Sequence, residues 1–166
     1  LDAYDQLAQA YQQLGQFAEA EQVLQSAAKL SPNSVLRQKN LGNVALKLGN
    51  VEVAEKAFRK SVEVGTHSVL KTPESYLGLA RVCGQNENPD EALQLLAAVQ
   101  KEFDTPEVKL RAKITEGLVY HECGDWVNAR KAGEEMGRLL AATPAGPDTG
   151  TSLDMARLMF AVGVKD

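Results

Sequence analysis

The chain repeats itself with a period of 34 residues. Residues 1–34 lie over residues 35–68 without a gap, so that Leu7 falls on Leu41, Leu14 on Leu48, Gly15 on Gly49, Ala20 on Ala54, Glu21 on Glu55 and Ser34 on Ser68. A period of this length implies stacked supersecondary units, each burying its apolar face only against its neighbours. Such a chain is expected to be an interaction scaffold and not a catalyst.

Within each period, apolar residues recur at helical spacing and no run alternates as a strand would. The pattern predicts nine helices at about 2–14, 18–30, 35–48, 51–64, 73–85, 89–102, 106–123, 126–142 and 152–162. Gly15, Gly49, Gly124 and Gly163 each follow a helical run, where a residue at positive φ ends a helix cheaply. Thr72-Pro73, Asn88-Pro89 and Thr105-Pro106 place a capping side chain before a proline at the first helical position, and Asn88 with Glu91 forms a capping box. The eight-residue stretch Thr143–Gly150 (TPAGPDTG) reads as a loop. Small residues recur where paired helices must cross: Ala8 and Ala20, Gly42 and Ala54, Gly78 and Ala92, Gly117 and Ala129. Larger side chains there would cost ~1–3 kcal/mol by overpacking.

These residues carry a resemblance. Tyr4-x2-Leu7-Ala8-x2-Tyr11, followed by Ala20-x3-Leu24, Ala27 and Pro32, resembles a tetratricopeptide repeat. The second unit (Leu41-Gly42, Gly49, Ala54, Phe58) lacks the closing proline. The third (Leu77-Gly78, Ala92, Leu96) has two extra residues in its turn. The fourth (Gly117, Tyr120, Gly124, Trp126, Ala129) departs at Gly133, where a large residue is expected, and at Glu116, where leucine is expected. The resemblance implies an all-α fold, a right-handed α-α superhelix of about four helical pairs plus a terminal helix. The 166 residues then form a single domain with repeats at about 1–34, 35–70, 71–105 and 106–142, and a partial fifth repeat or capping helix at 151–163.

Composition narrows the partner. Aromatics make up 5% of the chain, which leaves little for base stacking, and the net charge of −4 is wrong for a phosphate-binding surface. Only residues 35–70 are net basic, and their Arg37, Lys39, Lys47, Lys56, Arg59 and Lys60 are interspersed with Glu52, Glu55 and Glu63. Nucleic acid is therefore not an expected partner. No stretch has the ~20 apolar residues of a membrane helix, and no signal peptide is present. Two cysteines are too few for a disulfide framework and fit a cytoplasmic protein. The missing initiator Met suggests a processed or excised chain.

Reactive residues are sparse. His121, Cys123, Cys83 and the distant His67 lack the paired spacing of a zinc site, and no oriented third group activates a cysteine nucleophile. Cys123 takes the place of Leu14 and Leu48, which the pattern assigns to the core. No Gly-rich phosphate cradle is present. Neither an enzyme nor a metal or other cofactor is expected. Trp126 takes the place of Phe17 and Val51, which points to packing.

The resemblance further implies that the first helix of each pair lines a concave groove that binds peptides. By register, that face takes Asp2, Asp5, Gln9, Gln12 and Gln13 from the first unit. The binding candidates that follow are Lys39, Asn43 and Lys47 in the second unit, Leu79 and Val82 in the third, and Arg111, Ile114, Leu118 and His121 in the fourth. Lys39, Asn43 and Arg111 match three places of a carboxylate clamp known in one subfamily, but Tyr76 and Thr115 stand where Asn and Arg are expected. The apolar end of the groove either takes an external ligand or is covered by the chain itself. The terminal helix carries Leu153, Leu158, Met159 and Phe160 around much of its circumference, so a homodimer through that helix is expected. The function expected is a protein–protein interaction scaffold whose partner is an unidentified protein or peptide. Two rival settings are the repeat module of a bacterial receiver-domain response regulator and an envelope or pilus assembly factor.

Overall fold

A computed structural model describes residues 2–141 and 148–163, with the side chains of Asp2 and Thr149 left aside. Among the described residues there are nine helices and no strand. They are α1 (Asp2–Gln13), α2 (Phe17–Leu30), α3 (Val35–Leu48), α4 (Val51–Thr66), α5 (Pro73–Gln85), α6 (Pro89–Glu102), α7 (Pro106–Glu122), α8 (Trp126–Ala141) and α9 (Thr149–Val162). Most helix ends fall within two residues of the sequence pattern. The exception is α9, which starts three residues early because Asp148 caps it, accepting from the Thr151 N–H at 2.6 Å. Most of the loop expected at Thr143–Gly150 lies outside the described residues.

The chain divides into two compact units, residues 1–82 and 83–166, with the division inside α5. In the first unit α1 packs on α2, α2 on α3, and α3 on α4. The turns between paired helices are set by glycine. Gly15 and Gly49 sit at φ 73° and 77°, and the next residues, Gln16 and Asn50, donate back to Tyr11 and Ala45 carbonyls at 2.9 and 2.8 Å. A left-handed residue at that point satisfies the last helical carbonyls without a Cβ clash. The core of α1–α4 is made largely of small side chains: Ala8, Ala20, Leu24, Ala28, Leu41, Val44 and Ala57 are buried together, with Tyr11 and Phe17 against them.

The largest fully buried side chain is Phe58 on α4. Its ring lies between Gly42 of α3 and Gly78 of α5. A Cβ built on Gly42 would stand 2.8 Å from two ring carbons, and one on Gly78 would also overlap the ring. The small residues paired by sequence as helix crossings are buried except for Gly78, which is half-buried, and the space beside Gly42 and Gly78 belongs to Phe58. Several buried polar groups are matched as well. Ser61 Oγ reaches the Val35 carbonyl at 3.0 Å and Ser75 Oγ at 2.8 Å. The buried Glu21 carboxylate accepts from Asn50 Nδ2 at 2.6 Å and Gln25 Nε2 at 2.9 Å.

In the second unit α7 packs on α6 and α8, and α9 packs on α7 and α8. Leu110, Ile114, Leu118, Ala129, Met136, Met155, Leu158 and Val162 form its core. Gly117 admits Leu158: a Cβ there would lie 2.7 Å from it and 3.2 Å from Ala132. Gly124 ends α7 at φ 76°. The turn after α5 uses Glu87 at φ 56° instead, the one non-glycine residue at positive φ among those described. Leu14 and Leu48 are 72% and 37% exposed and Cys123 is half-buried, so the position they share is not the fully buried core one expected. It follows the last buried turn of the helix, beside the glycine that ends it.

Two outcomes follow. Gly42→Ala should cost about 1–3 kcal/mol in thermal or urea melts, because the added methyl meets an immobilised ring. Phe58→Leu in the same chain should recover part of that loss, a coupling that a double-mutant cycle reads directly. Glu87→Gly should raise the melting temperature, since it removes a left-handed strain of about 1 kcal/mol at an exposed turn.

Candidate functional site

On the exposed side of the first unit, α1 and α3 present a pocket of about 420 Å3, lined by Asp5, Gln6, Ala8, Gln9, Gln12, Leu24, Leu36 and Asn40. Helical spacing puts Asp5, Gln9 and Gln12 on one stripe of α1, and Leu36 and Asn40 one turn apart on α3. Ala8 and Leu24 close the floor and are buried, while Leu36 forms a wall and is 53% exposed. Arg37, itself buried, grips Asp5 through two nitrogens, with Nη2 at 2.9 Å from Oδ2 and Nε at 3.2 Å from Oδ1. A fork-to-carboxylate pair of this kind is strong and directional. It fixes α1 against α3 and takes up the one acid of the pocket.

Along α3 the next residues are Lys39 and Asn43, both half-buried, and Lys47, exposed with its ammonium 5.2 Å over the Phe17 ring. These three candidates form one ridge at i, i+4 and i+8. Sequence register found that ridge but missed Gln6, Leu36 and Asn40. The signal was present, since positions 36, 40, 43 and 47 also follow a helical stripe.

Leu79 and Val82 do not join this surface: both are buried. In the second unit Ile114 and Leu118 are buried too, in the core that holds Met155, Leu158 and Val162 of α9. α9 covers the apolar stripe of α7, so Ile114 and Leu118 sit in the core of the second unit, and Leu79 and Val82 are buried in the first. Arg111 and His121 are half-buried. Arg111 contributes to holding the Asp148 carboxyl below its usual range, behind the leading effect of the Thr151 backbone N–H. His121 meets Trp126 edge to face, with ring centroids 4.8 Å apart at 88°. Trp126 nevertheless stays 57% exposed, beside exposed Val127, Arg130, Lys131 and Glu134.

Of the self-association candidates, Leu158 is fully buried against Gly117 and Met159 is half-buried at the same core; only Leu153 and Phe160 are exposed. Burial pushes the Cys123 thiol up, with Glu122 and Glu87 adding to the shift, and its Sγ lies 3.9 Å from the Gly84 carbonyl. Cys83 is buried. Among the described residues no group of three or more His, Cys, Asp or Glu side chains could hold a metal, and no helix is long and apolar enough to cross a membrane.

Paired helices with glycine-ended turns and an alanine-rich interior define an all-α helical-repeat protein. A tetratricopeptide-repeat family profile matches residues 6–67 and 39–107, more than half of the chain. The chain belongs to the tetratricopeptide-repeat family. Among solved structures it is similar to PilF of Pseudomonas aeruginosa (23% identity over 96% of this chain and 67% of that one, TM-score 0.65). It is similar to PilW, a type IV pilus biogenesis factor (20% identity, 98% of this chain and 70% of that one, TM-score 0.69). It is also similar to MamA of Desulfovibrio magneticus RS-1 (16% identity, 99% and 96%, TM-score 0.67). A search of curated proteins by sequence finds no match.

The cap of α9 gives a pH test. The Asp148 carboxyl sits below its ordinary value when folded, so its contribution is fully present above that ordinary value and is lost as pH falls through the lower folded value. Asp148→Ala should cost about 0.5–2 kcal/mol near neutrality. It should also flatten the acid limb of the stability curve below pH ~4. Urea melts between neutral and acidic pH measure both.

Proposed function

We propose that the chain is a protein–protein interaction scaffold that holds a peptide or protein segment on the α1–α3 face of its first unit. The observation that supports this most is the pocket itself, bordered by Lys39, which makes no ion pair among the described residues, and by Asn43 and Lys47. A shaped recess beside cations without carboxylate partners combines an apolar anchor with charge that sets register. Arg111 and His121 are proposed as contacts of the second unit by itself; Leu79 and Val82 in the first unit, and Ile114 and Leu118 in the second, are assigned to the core.

The activity is binding and not catalysis. Partial burial, with Glu122 and Glu87, pushes the Cys123 thiol up and so disfavours the thiolate a nucleophile needs, which argues against the one reactive arrangement that the sequence offered. Two free cysteines support a cytoplasmic setting. A second copy of the chain is the weaker partner. With Leu158 buried, Leu153 and Phe160 alone fall well short of the ~800 Å2 per side that a stable interface buries. A response-regulator module and a pilus assembly factor are both accommodated by the scaffold reading. The likeness to PilF and PilW is one of fold, shared with MamA, and supports no single pathway.

Selection of random dodecapeptides on the immobilised chain, followed by fluorescence anisotropy with the peptides recovered, tests the proposal. Lys39→Glu and Asn43→Ala should each weaken a selected peptide by about five- to fifty-fold with an unchanged circular dichroism spectrum. Recovered peptides indifferent to both variants, or no recovered peptide, would refute it.

A further inference from the structure

The α1–α3 pocket has a chemistry distinct from that of the ridge beside it. Seven of its eight lining residues are amides or apolar, and the lining contains no lysine, arginine or histidine. Ala8 is among them, buried at the floor. The last is Asp5, whose two oxygens are both held by Arg37. The nearest cation is thus spent inside the fold, and the nearest anion is neutralised.

A carboxylate entering here would meet the oxygens of Asp5 with no cation among the lining residues to pair with it; Lys39 stands on the ridge beside the pocket and not in its lining. A cationic side chain would have to compete for an acid already gripped at 2.9 Å by a buried guanidinium. Desolvating either charge without a partner is costly. A nucleobase or sugar ring would find no aromatic face among the lining residues.

What remains fits a neutral guest. Gln6, Gln9 and Asn40 make no side-chain hydrogen bond among the described residues, while the Gln12 side chain donates to the Ala8 carbonyl at 3.3 Å. A side-chain amide offers donors and an acceptor together, which is the pairing a peptide backbone requires. The exposed Leu36 wall and the buried Leu24 and Ala8 floor offer apolar contact at the centre. The volume of about 420 Å3 suits a two- or three-residue segment.

We infer that this pocket takes an uncharged, extended peptide segment, with an aliphatic side chain of leucine size against Leu36, Leu24 and Ala8 and its backbone amides paired to Gln9 and Asn40. This deepens the scaffold reading and rests on it. The occupant is a partner polypeptide, because backbone amides repeat along a chain as the uncommitted side chains do along α1 and α3. Arg37 is accordingly a positioning residue: it occupies both oxygens of the Asp5 carboxylate at the edge of the site. The carboxylate clamp suggested by Lys39, Asn43 and Arg111 is not needed for this contact.

The test uses two blocked tripeptides, acetyl-Gly-Leu-Gly-amide and acetyl-Gly-Asp-Gly-amide, titrated into the 15N-labelled chain. The leucine probe should move the side-chain amide resonances of Gln9 and Asn40 saturably, in the millimolar range. The aspartate probe should bind at least about tenfold more weakly. The affinity for the leucine probe should change less than about twofold between low and high salt, unlike a charge-pair contact. Asn40→Asp and, independently, Leu36→Asp should each abolish saturation while the fold is retained by circular dichroism. Equal or tighter binding of the aspartate probe would overturn the inference. So would an absence of shifts at Gln9 and Asn40 while selected dodecapeptides still bind, an outcome that leaves the scaffold reading standing. If neither probes nor dodecapeptides bind, both readings fall.

Discussion

One aromatic ring sets the spacing of three helices. Phe58 fills the room left by the missing Cβ atoms of Gly42 and Gly78, and its ring touches both backbones. Interiors are packed as densely as crystals, so neither glycine can gain an atom unless the ring moves. The alanines around it work with the same geometry: Ala54 and Ala57 flank Phe58 on α4, and small side chains let the helices approach until the ring fits. The second unit solves the problem with an aliphatic side chain, placing Leu158 of α9 against Gly117 of α7. In each case a large residue on one helix reaches the backbone of a neighbour. The fold is thereby specified by nearest neighbours, as repeat architectures require.

The local rules were readable from sequence because they act within a few residues. Gly15, Gly49 and Gly124 adopt positive φ where the pattern ends, and Asn88 both accepts from the Glu91 N–H and donates to its carboxylate. The period also marked Gly42 and Gly78 as tight points. It could not say that Phe58 occupies both, since that depends on which neighbour reaches across. Similar reasoning accounts for Leu14 and Leu48. A 34-residue overlay assigns them one role, but a helix position is buried only as far as something covers it, and among the described residues the cover is slight at Leu14 and incomplete at Leu48.

Coverage also explains the division of the binding candidates. Lys39, Asn43 and Lys47 share a ridge because their spacing is helical, a property of the sequence itself. Ile114 and Leu118 occupy comparable positions on α7, yet α9 lies over them with Met155, Leu158 and Val162. Charge or apolarity at a register position thus indicates exposure only when the following helix is also taken into account. The Asp5–Arg37 pair shows the opposite limit. The two residues are thirty-two apart in the chain, outside any local motif, and their contact decides the electrostatics of the pocket.

That pair bears on how such a scaffold can be selective. Burying a guanidinium is tolerable only when its fork is satisfied, and Asp5 satisfies it while standing at the edge of the site. The same contact that joins α1 to α3 therefore withdraws charge from the surface between them. Affinity for a neutral segment must then come from shape and from amide pairing, both of which depend on the two helices holding their distance. The cationic ridge one turn away acts independently, through longer-ranged attraction that salt can weaken. With stability and neutrality supplied by one ion pair, and steering by Lys39 and Lys47, register and sequence preference on this face are set by separate residues and can vary separately.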